Sequence, residues 1–290
     1  MRLLNFSIGG QASFGVVTGN AVMDLRARLS TPARTLVEFL RSDVLAPGIC
    51  LAARPCADYA LEQVRIEKPT GRDSRYFCIG VNYPERNEEY KDGSERPRYP
   101  SLFMRSHSSL VAHGEPIVRP LESEQLDYEG EIVVLIGRGG RRIAQERALE
   151  HVFGYTCGNE GSVRDWLRHA KFNVTQGKNF DRSGALGPWV LTADEVGHSP
   201  LSVATRVNGE LRQSDSSERM LFPVAFLIAY LSRFCTLEPG DVIFSGTPSG
   251  AGARFDPPRY LKPGDVVEVE VSGIGVLSNT VVAEGVDDGA

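Results

Sequence analysis

Short apolar runs broken by Gly, Asn and Pro open the chain. Arg2–Ile8, Phe14–Thr18 and Ala21–Leu25 predict a three-strand meander. Thr35–Arg41 predicts a short helix. From Ala46 to Arg75 the pattern weakens, with Pro47, Pro55, Pro69 and Gly71 as breaks. These features place a domain boundary near residue 70, with a small N-terminal α/β module over 1–70 and a larger domain over 71–290.

Strands dominate the larger domain. Tyr76–Val81 is an apolar run, Glu131–Ile136 is rich in β-branched residues, and Asp265–Val271 alternates with the period of a strand. Ala144–Phe153 and Ser162–Ala170 predict helices, the second with Ser162 and Asp165 spaced as a capping box. Pro223–Phe234 predicts a mostly apolar helix with proline in its first turn, where a missing N–H costs little. The Pro-Gly-Asp turns at 239–241 and 263–265 each precede a β-branched run. The expected fold class is therefore mostly β (α+β), with helices packed outside.

Composition narrows the function. With 290 residues, 41% of them hydrophobic and 24% charged, the chain can bury a proper core. A net charge of −5 argues against nucleic acid as the main partner, because phosphate binding needs a basic face. Five scattered cysteines form no CxxC pair, which suggests neither a zinc site nor a disulfide framework. The N-terminus lacks the apolar core of a signal peptide, and the longest greasy run, Phe222–Leu231, is too short to span a bilayer. A soluble cytoplasmic protein with no membrane partner is expected. There is no GxGxxG after a first strand and no GxxxxGK[ST], so nucleotide binding by those routes is unsupported.

The informative segment is Leu126-Asp127-Tyr128-Glu129-Gly130-Glu131, leading into Ile132–Ile136. At the start of a strand, Glu129 and Glu131 point to one face. Two adjacent carboxylates repel, and a divalent cation between them would relieve the repulsion. The plainer alternative is a pair of acids facing water at a strand end. Glu160, in Asn159-Glu160-Gly161-Ser162, offers a third carboxylate.

The segments SEQLDYEGEIVVLIG, GYTCGNEGSVRD, GKNFDRSGALGPW, VNGELRQ, LIAYLSRF, LEPGDVIFSGTPSGAG and YLKPGDVVEVEVSGIGVLSNTV resemble the fumarylacetoacetate hydrolase family, in the family's order, over roughly residues 76 to 283. The nearest branch is that of acylpyruvases and 2-hydroxyhepta-2,4-diene-1,7-dioate isomerases. The resemblance implies a mixed β-sandwich roll with peripheral helices, a small leading domain and a homodimer. It implies Mg²⁺ or Mn²⁺ held by Glu129, Glu131 and Glu160, although most members carry Asp at the third position. Lys178 matches the family's lysine near the metal, where a cation stabilises a developing enolate. Thr247 matches a residue that binds the substrate carboxylate, and Arg164 one that steadies a ligand carboxylate.

The resemblance breaks in two places. Many hydrolytic members carry Asn-Tyr-x-x-His-x-x-Glu, whose His–Glu pair activates water; here Asn82, Tyr83 and Glu89 are kept but Arg86 replaces the histidine. A guanidinium with a pKa above about 12 is no general base at neutral pH. Arg86, with Tyr83, is instead expected to contact the substrate, Arg86 gripping a carboxylate. Glu89 or His107 then becomes the candidate base. Leu167 stands where the family usually has Gln.

The leading expectation is hydrolysis of a C–C bond in an acylpyruvate-type 2,4-dioxo acid, fumarylpyruvate-like, as in aromatic-compound catabolism. Two alternatives stand beside it. One is an isomerase, tautomerase or oxaloacetate-type decarboxylase in the same metal site, which needs no activated water. The other is a non-catalytic metal- or ligand-binding protein.

Overall fold

A computed structural model of the chain describes residues 1–54, 56–85, 97–167, 169–170 and 173–285. The predicted meander forms as β1 (Arg2–Ile8), β2 (Gln11–Thr18) and β3 (Ala21–Asp24), paired antiparallel. Asp24 then caps α1 (Leu25–Leu29), its carboxylate accepting from Ala27 N at 2.9 Å. Thr35 caps α2 (Leu36–Leu40) through Glu38 N at 3.2 Å. Sequence patterning misses α3 (Leu45–Ala52), because Pro47 reads as a break. Proline there lies in the first turn, where backbone donors have no intrahelical partner anyway. Two short strands, β4 (Tyr59–Ala60) and β5 (Arg65–Glu67), complete this part of the chain.

The larger part contributes β6 (Tyr76–Ile79), β7 (Leu102–Arg105), β8 (Leu110–Val111), β9 (Ile117–Arg119), β10 (Leu126–Asp127), β11 (Gly130–Ile136), β12 (Val152–Asn159) and β13 (Ser162–Val163). After a one-turn helix α4 (Thr175–Lys178) come β14 (Gly184–Thr192), β15 (Ser202–Val207), β16 (Glu210–Ser216), α5 (Val224–Leu231), β17 (Val242–Phe244), β18 (Val266–Val271) and β19 (Gly275–Ala283). One large sheet runs β4-β3-β2-β1-β14-β12-β11-β17-β6-β7, and a second runs β16-β15-β18-β19-β9. The N-terminal strands belong to the large sheet, since Arg2 and Leu3 pair with Leu191 and Val190.

The central strand β11 is buried along its whole length. Val133 and Leu135 join one apolar cluster, while Val134 and Ile136 join another. Burial on both faces is why this stretch is continuously apolar rather than alternating. Ile132 faces a third cluster with Val203, Val269 and Leu277 from the second sheet. The result is the mostly-β fold expected, with helices outside the sheets.

Two predicted helices do not form as such. Gln145–His151 makes a 3₁₀ stretch, and β12 begins at once with Val152. Ser162 and Val163 are extended, pairing with Asp127 and Leu126, before a single 3₁₀ turn at Arg164–Trp166. Ser162 caps nothing: its hydroxyl donates to Glu160 O at 3.3 Å, and Asp165 accepts from Ser123 Oγ at 2.6 Å. Pairing with a strand 36 residues earlier overrode the local capping signal. The helix predicted over Pro223–Phe234 is shorter, Val224–Leu231, with Pro223 as its cap residue. Among the described residues no helix is long and apolar enough to cross a membrane.

Candidate metal centre and active site

The site is built where β11 begins and β12 ends. Gly130 pairs with Asn159, so the acids flanking each meet across the sheet. Asn159 Oδ1 accepts from Glu129 N at 2.9 Å, and Glu129 O accepts from Glu160 N at 2.8 Å. Glu129, Glu131 and Glu160 are 4%, 0% and 1% exposed, which excludes the reading of acids facing water. Each offers an oxygen within 4.8 Å of the others. Gly130 between them lets the second sheet close in: a Cβ there would stand 1.9 Å from Thr205 Oγ1.

Two cations hold this cluster together. Lys178 Nζ donates to Glu129 Oε2 at 2.5 Å and Glu160 Oε2 at 3.0 Å. Arg164 Nη2 lies 2.6 Å from Glu129 Oε1, and its Nε donates to Asp127 Oδ2 at 2.8 Å. Burial alone would pull both cations toward neutrality, but the surrounding carboxylates outweigh it and hold both protonated. Glu131 differs, because burial first, and then the charges of Glu160 and Glu129, raise its proton affinity well above the ordinary carboxylate range. Its Oε2 accepts from Gly246 N at 2.7 Å, a contact that needs the left-handed backbone at Gly246 (φ +99°).

Glu131 Oε1 and Glu160 Oε1 are buried with no hydrogen-bond partner among the described residues. Orphaned carboxylate oxygens are costly, and a divalent cation would satisfy them. An all-oxygen donor set suits Mg²⁺ or Mn²⁺ rather than zinc. The residues present therefore fit the expected metal.

Beside the cluster lies a cavity of about 380 Å³. Glu129, Arg164 and Lys178 line it, together with the apolar Val81, Phe103 and Leu167. Lys178 reaches it because Gly177 packs α4 directly on the chain; a Cβ there would sit 2.6 Å from Val163 O. The ammonium also stands 5.1 Å from the Phe103 ring centroid.

The other predicted site residues are placed unevenly. Tyr83 is fully buried, and its hydroxyl has no partner among the described residues. Burial, then Asp215 and Glu131, keep that phenol protonated. Thr247 is buried too, its hydroxyl donating to Gly130 O at 3.0 Å and accepting from Gln213 Nε2 at 2.9 Å. His107 does not line the cavity; it shares a 2.9 Å hydrogen bond with Tyr76, and burial, then Lys68 and Arg72, push its imidazole down to about 4. Arg86 and Glu89 lie outside the described residues.

Sequence reading passed over two groups that shape the site. Asp127 is 0% exposed and accepts from Gly252 N, Ala253 N and Arg164 Nε, fastening a distant loop to the cluster. The signal was present, since Asp127 stands two residues before Glu129, but nothing local showed what it would bind. Arg105, 4% exposed, spends its donors on neutral acceptors: Ser109, Ser183 and Gly161 O, the last next to Glu160.

The sequence profile described as Fumarylacetoacetate (FAA) hydrolase C-terminal matches residues 75–282. Oxaloacetate tautomerase YisK of Bacillus subtilis (strain 168) is 41% identical over 228 residues, spanning 77% of this chain and 75% of that one. The mitochondrial oxaloacetate tautomerase FAHD2B of Bos taurus is 36% identical over 292 residues, spanning 97% and 92%. A fumarylacetoacetate hydrolase from psychrophilic Exiguobacterium antarcticum superimposes with a TM-score of 0.82 at 35% identity, covering 98% of this chain and 100% of its own. Maleylpyruvate hydrolase from Sphingobium sp. SYK-6, solved with manganese(II) and pyruvate, gives 0.80 at 27% identity, covering 98% and 100%. The chain is an enzyme of the fumarylacetoacetate hydrolase family.

Proposed function

We propose that this enzyme is a divalent-metal-dependent tautomerase that interconverts the keto and enol forms of a small 2-oxo dicarboxylic acid of the oxaloacetate type. The observation that carries this reading is Arg86 at the position where hydrolytic relatives place their water-activating histidine. Tautomerisation moves a proton between carbon and oxygen and needs no activated water, so the loss of that base removes nothing it requires. Two relatives 41% and 36% identical are named for this activity, which favours it over the hydrolysis expected first.

Glu129, Glu131 and Glu160 would hold Mg²⁺ or Mn²⁺, which when bound supplies a Lewis acid for the 2-oxo carboxylate end of the substrate. Lys178 stays protonated and stabilises negative charge developing on the C2 oxygen. Glu89 is assigned the C3 proton, and Arg86 and Tyr83 the distal end of the substrate. Thr247 supports the site by holding the Gly130 carbonyl between the two glutamates, in place of the direct substrate contact expected from the sequence. His107, outside the cavity and weakly basic, has no part in the scheme. A homodimer belongs to the same proposal.

Hydrolysis of an acylpyruvate is kept as the second reading because the manganese–pyruvate complex belongs to a hydrolase of this fold. The two separate in one experiment with Mn²⁺-loaded protein. Faster ultraviolet decay of enol-oxaloacetate without pyruvate release supports the tautomerase. Pyruvate from acetylpyruvate or fumarylpyruvate, with enol decay at its spontaneous rate, reinstates the hydrolase.

A further inference from the structure

A second cavity, larger than the one beside the carboxylate cluster, lies apart from it. It encloses about 770 Å³, and no residue lines both. Its wall carries four cations, Arg119, Arg212, Arg259 and Lys262, against two acids, Glu124 and Asp265. Asp265 is already engaged: its carboxylate accepts from Asn208 Nδ2 and from Lys262 N, both at 2.8 Å, closing a turn.

The arginines are arranged against their mutual repulsion. Arg212 and Arg259 both stand over the Phe255 ring, 5.2 and 4.8 Å from its centroid. Among the described residues Glu210 alone pairs with both, at 3.0 Å each. Arg212 is only 12% exposed, and its Nε and Nη1 find no acceptor among the described residues. Arg119 and Lys262 make no ion pair among those residues. Tyr128 and Tyr260 add two phenols to the wall. Guanidinium forks gathered this way in a half-enclosed space match planar oxyanions.

We infer that this cavity is a second ligand site, separate from the catalytic cavity, that takes a small polyanion bearing two or more carboxylate or phosphate groups. Such a ligand accepts from Arg119, Lys262 and the arginine pair, and relieves the charge crowded around Phe255. The site abuts the metal centre in sequence, because Tyr128 on its wall immediately precedes Glu129. Binding does not depend on the tautomerase reading.

The test is calorimetry on the metal-free full chain at constant ionic strength, with tricarballylate and inorganic phosphate as probes. Saturable binding of either supports the site, and the tighter probe tells whether its ligand is a carboxylic acid or a phosphate. The variant Arg119→Gln/Lys262→Gln, which alters partly exposed or exposed side chains, is expected to weaken that binding at least about tenfold. Lys178→Met is expected to leave it unchanged. Binding lost in Lys178→Met and kept in the double variant would place the anion in the catalytic cavity and overturn the inference. Equal weak binding by all three proteins would overturn it too.

Discussion

The ammonium of Lys178 lies 2.5 Å from Oε2 of Glu129, and the same nitrogen reaches Glu160 at 3.0 Å. One cation thus ties the beginning of β11 to the end of β12 and still lines the cavity beside the cluster. Lys178→Met is expected to lower kcat by about 10²–10³, the scale seen when one donor to developing oxyanion charge is lost. Steady-state kinetics measure this, with the change falling in kcat rather than KM.

Proton competition at Glu131 sets a pH dependence. Its folded proton affinity is raised by burial and by Glu160 and Glu129. Below the ordinary carboxylate range both the folded and unfolded states hold this proton. As pH rises past that range the unfolded state releases it first, so the metal-free protein loses stability toward neutral pH. Melting curves from pH 5 to 8 should show metal-free Tm falling and the stabilisation by Mn²⁺ growing. Glu131→Gln should flatten both trends, and its Mn²⁺ affinity, followed by the electron paramagnetic resonance of free Mn²⁺, should fall at least about tenfold.

Arg164 bridges two buried acids, Asp127 and Glu129. Arg164→Met leaves both without that partner in a dry environment. The expected cost is about 3–5 kcal/mol of unfolding free energy, measured by urea denaturation of the metal-free protein. Arg164→Lys restores charge without the two-armed reach and should recover only part of it.

Close approach of the sheets at Gly130 gives a packing test. A methyl group there meets Thr205 Oγ1 at 1.9 Å, so Gly130→Ala should destabilise by about 1–3 kcal/mol. Thr205→Ala removes the obstructing hydroxyl, and the double variant should regain much of the loss. Urea midpoints of the single and double variants decide this, and additive losses would mean that the clash is not the cause.

Much of this architecture was legible because its signals are local. The meander at β1–β3, the buried run Ile132–Ile136 and the carboxylate pair each show in a few adjacent residues. The failures share a cause in long-range pairing. Ser162 reads as a cap until Asp127 claims it as a strand partner, and Asp127 has no visible role until Arg164 and the Gly252–Ala253 amides reach it. His107 was a candidate base on sequence, but only the fold shows it bonded to Tyr76 and away from the cavity. The choice of reaction was not legible in the glutamates and Lys178, since a metal-held enolate and a nearby cation fit either proposed reaction.

The measurement that tests the central claim most directly is the rate of keto–enol exchange of oxaloacetate with Mn²⁺-loaded protein, followed by ultraviolet absorbance beside a coupled assay for pyruvate. The account predicts enol decay well above the spontaneous rate, lowered about 10²–10³-fold in Lys178→Met, with no pyruvate formed beyond that of Mn²⁺ without protein. Enol decay at the spontaneous rate, with pyruvate released from acetylpyruvate or fumarylpyruvate, would contradict it.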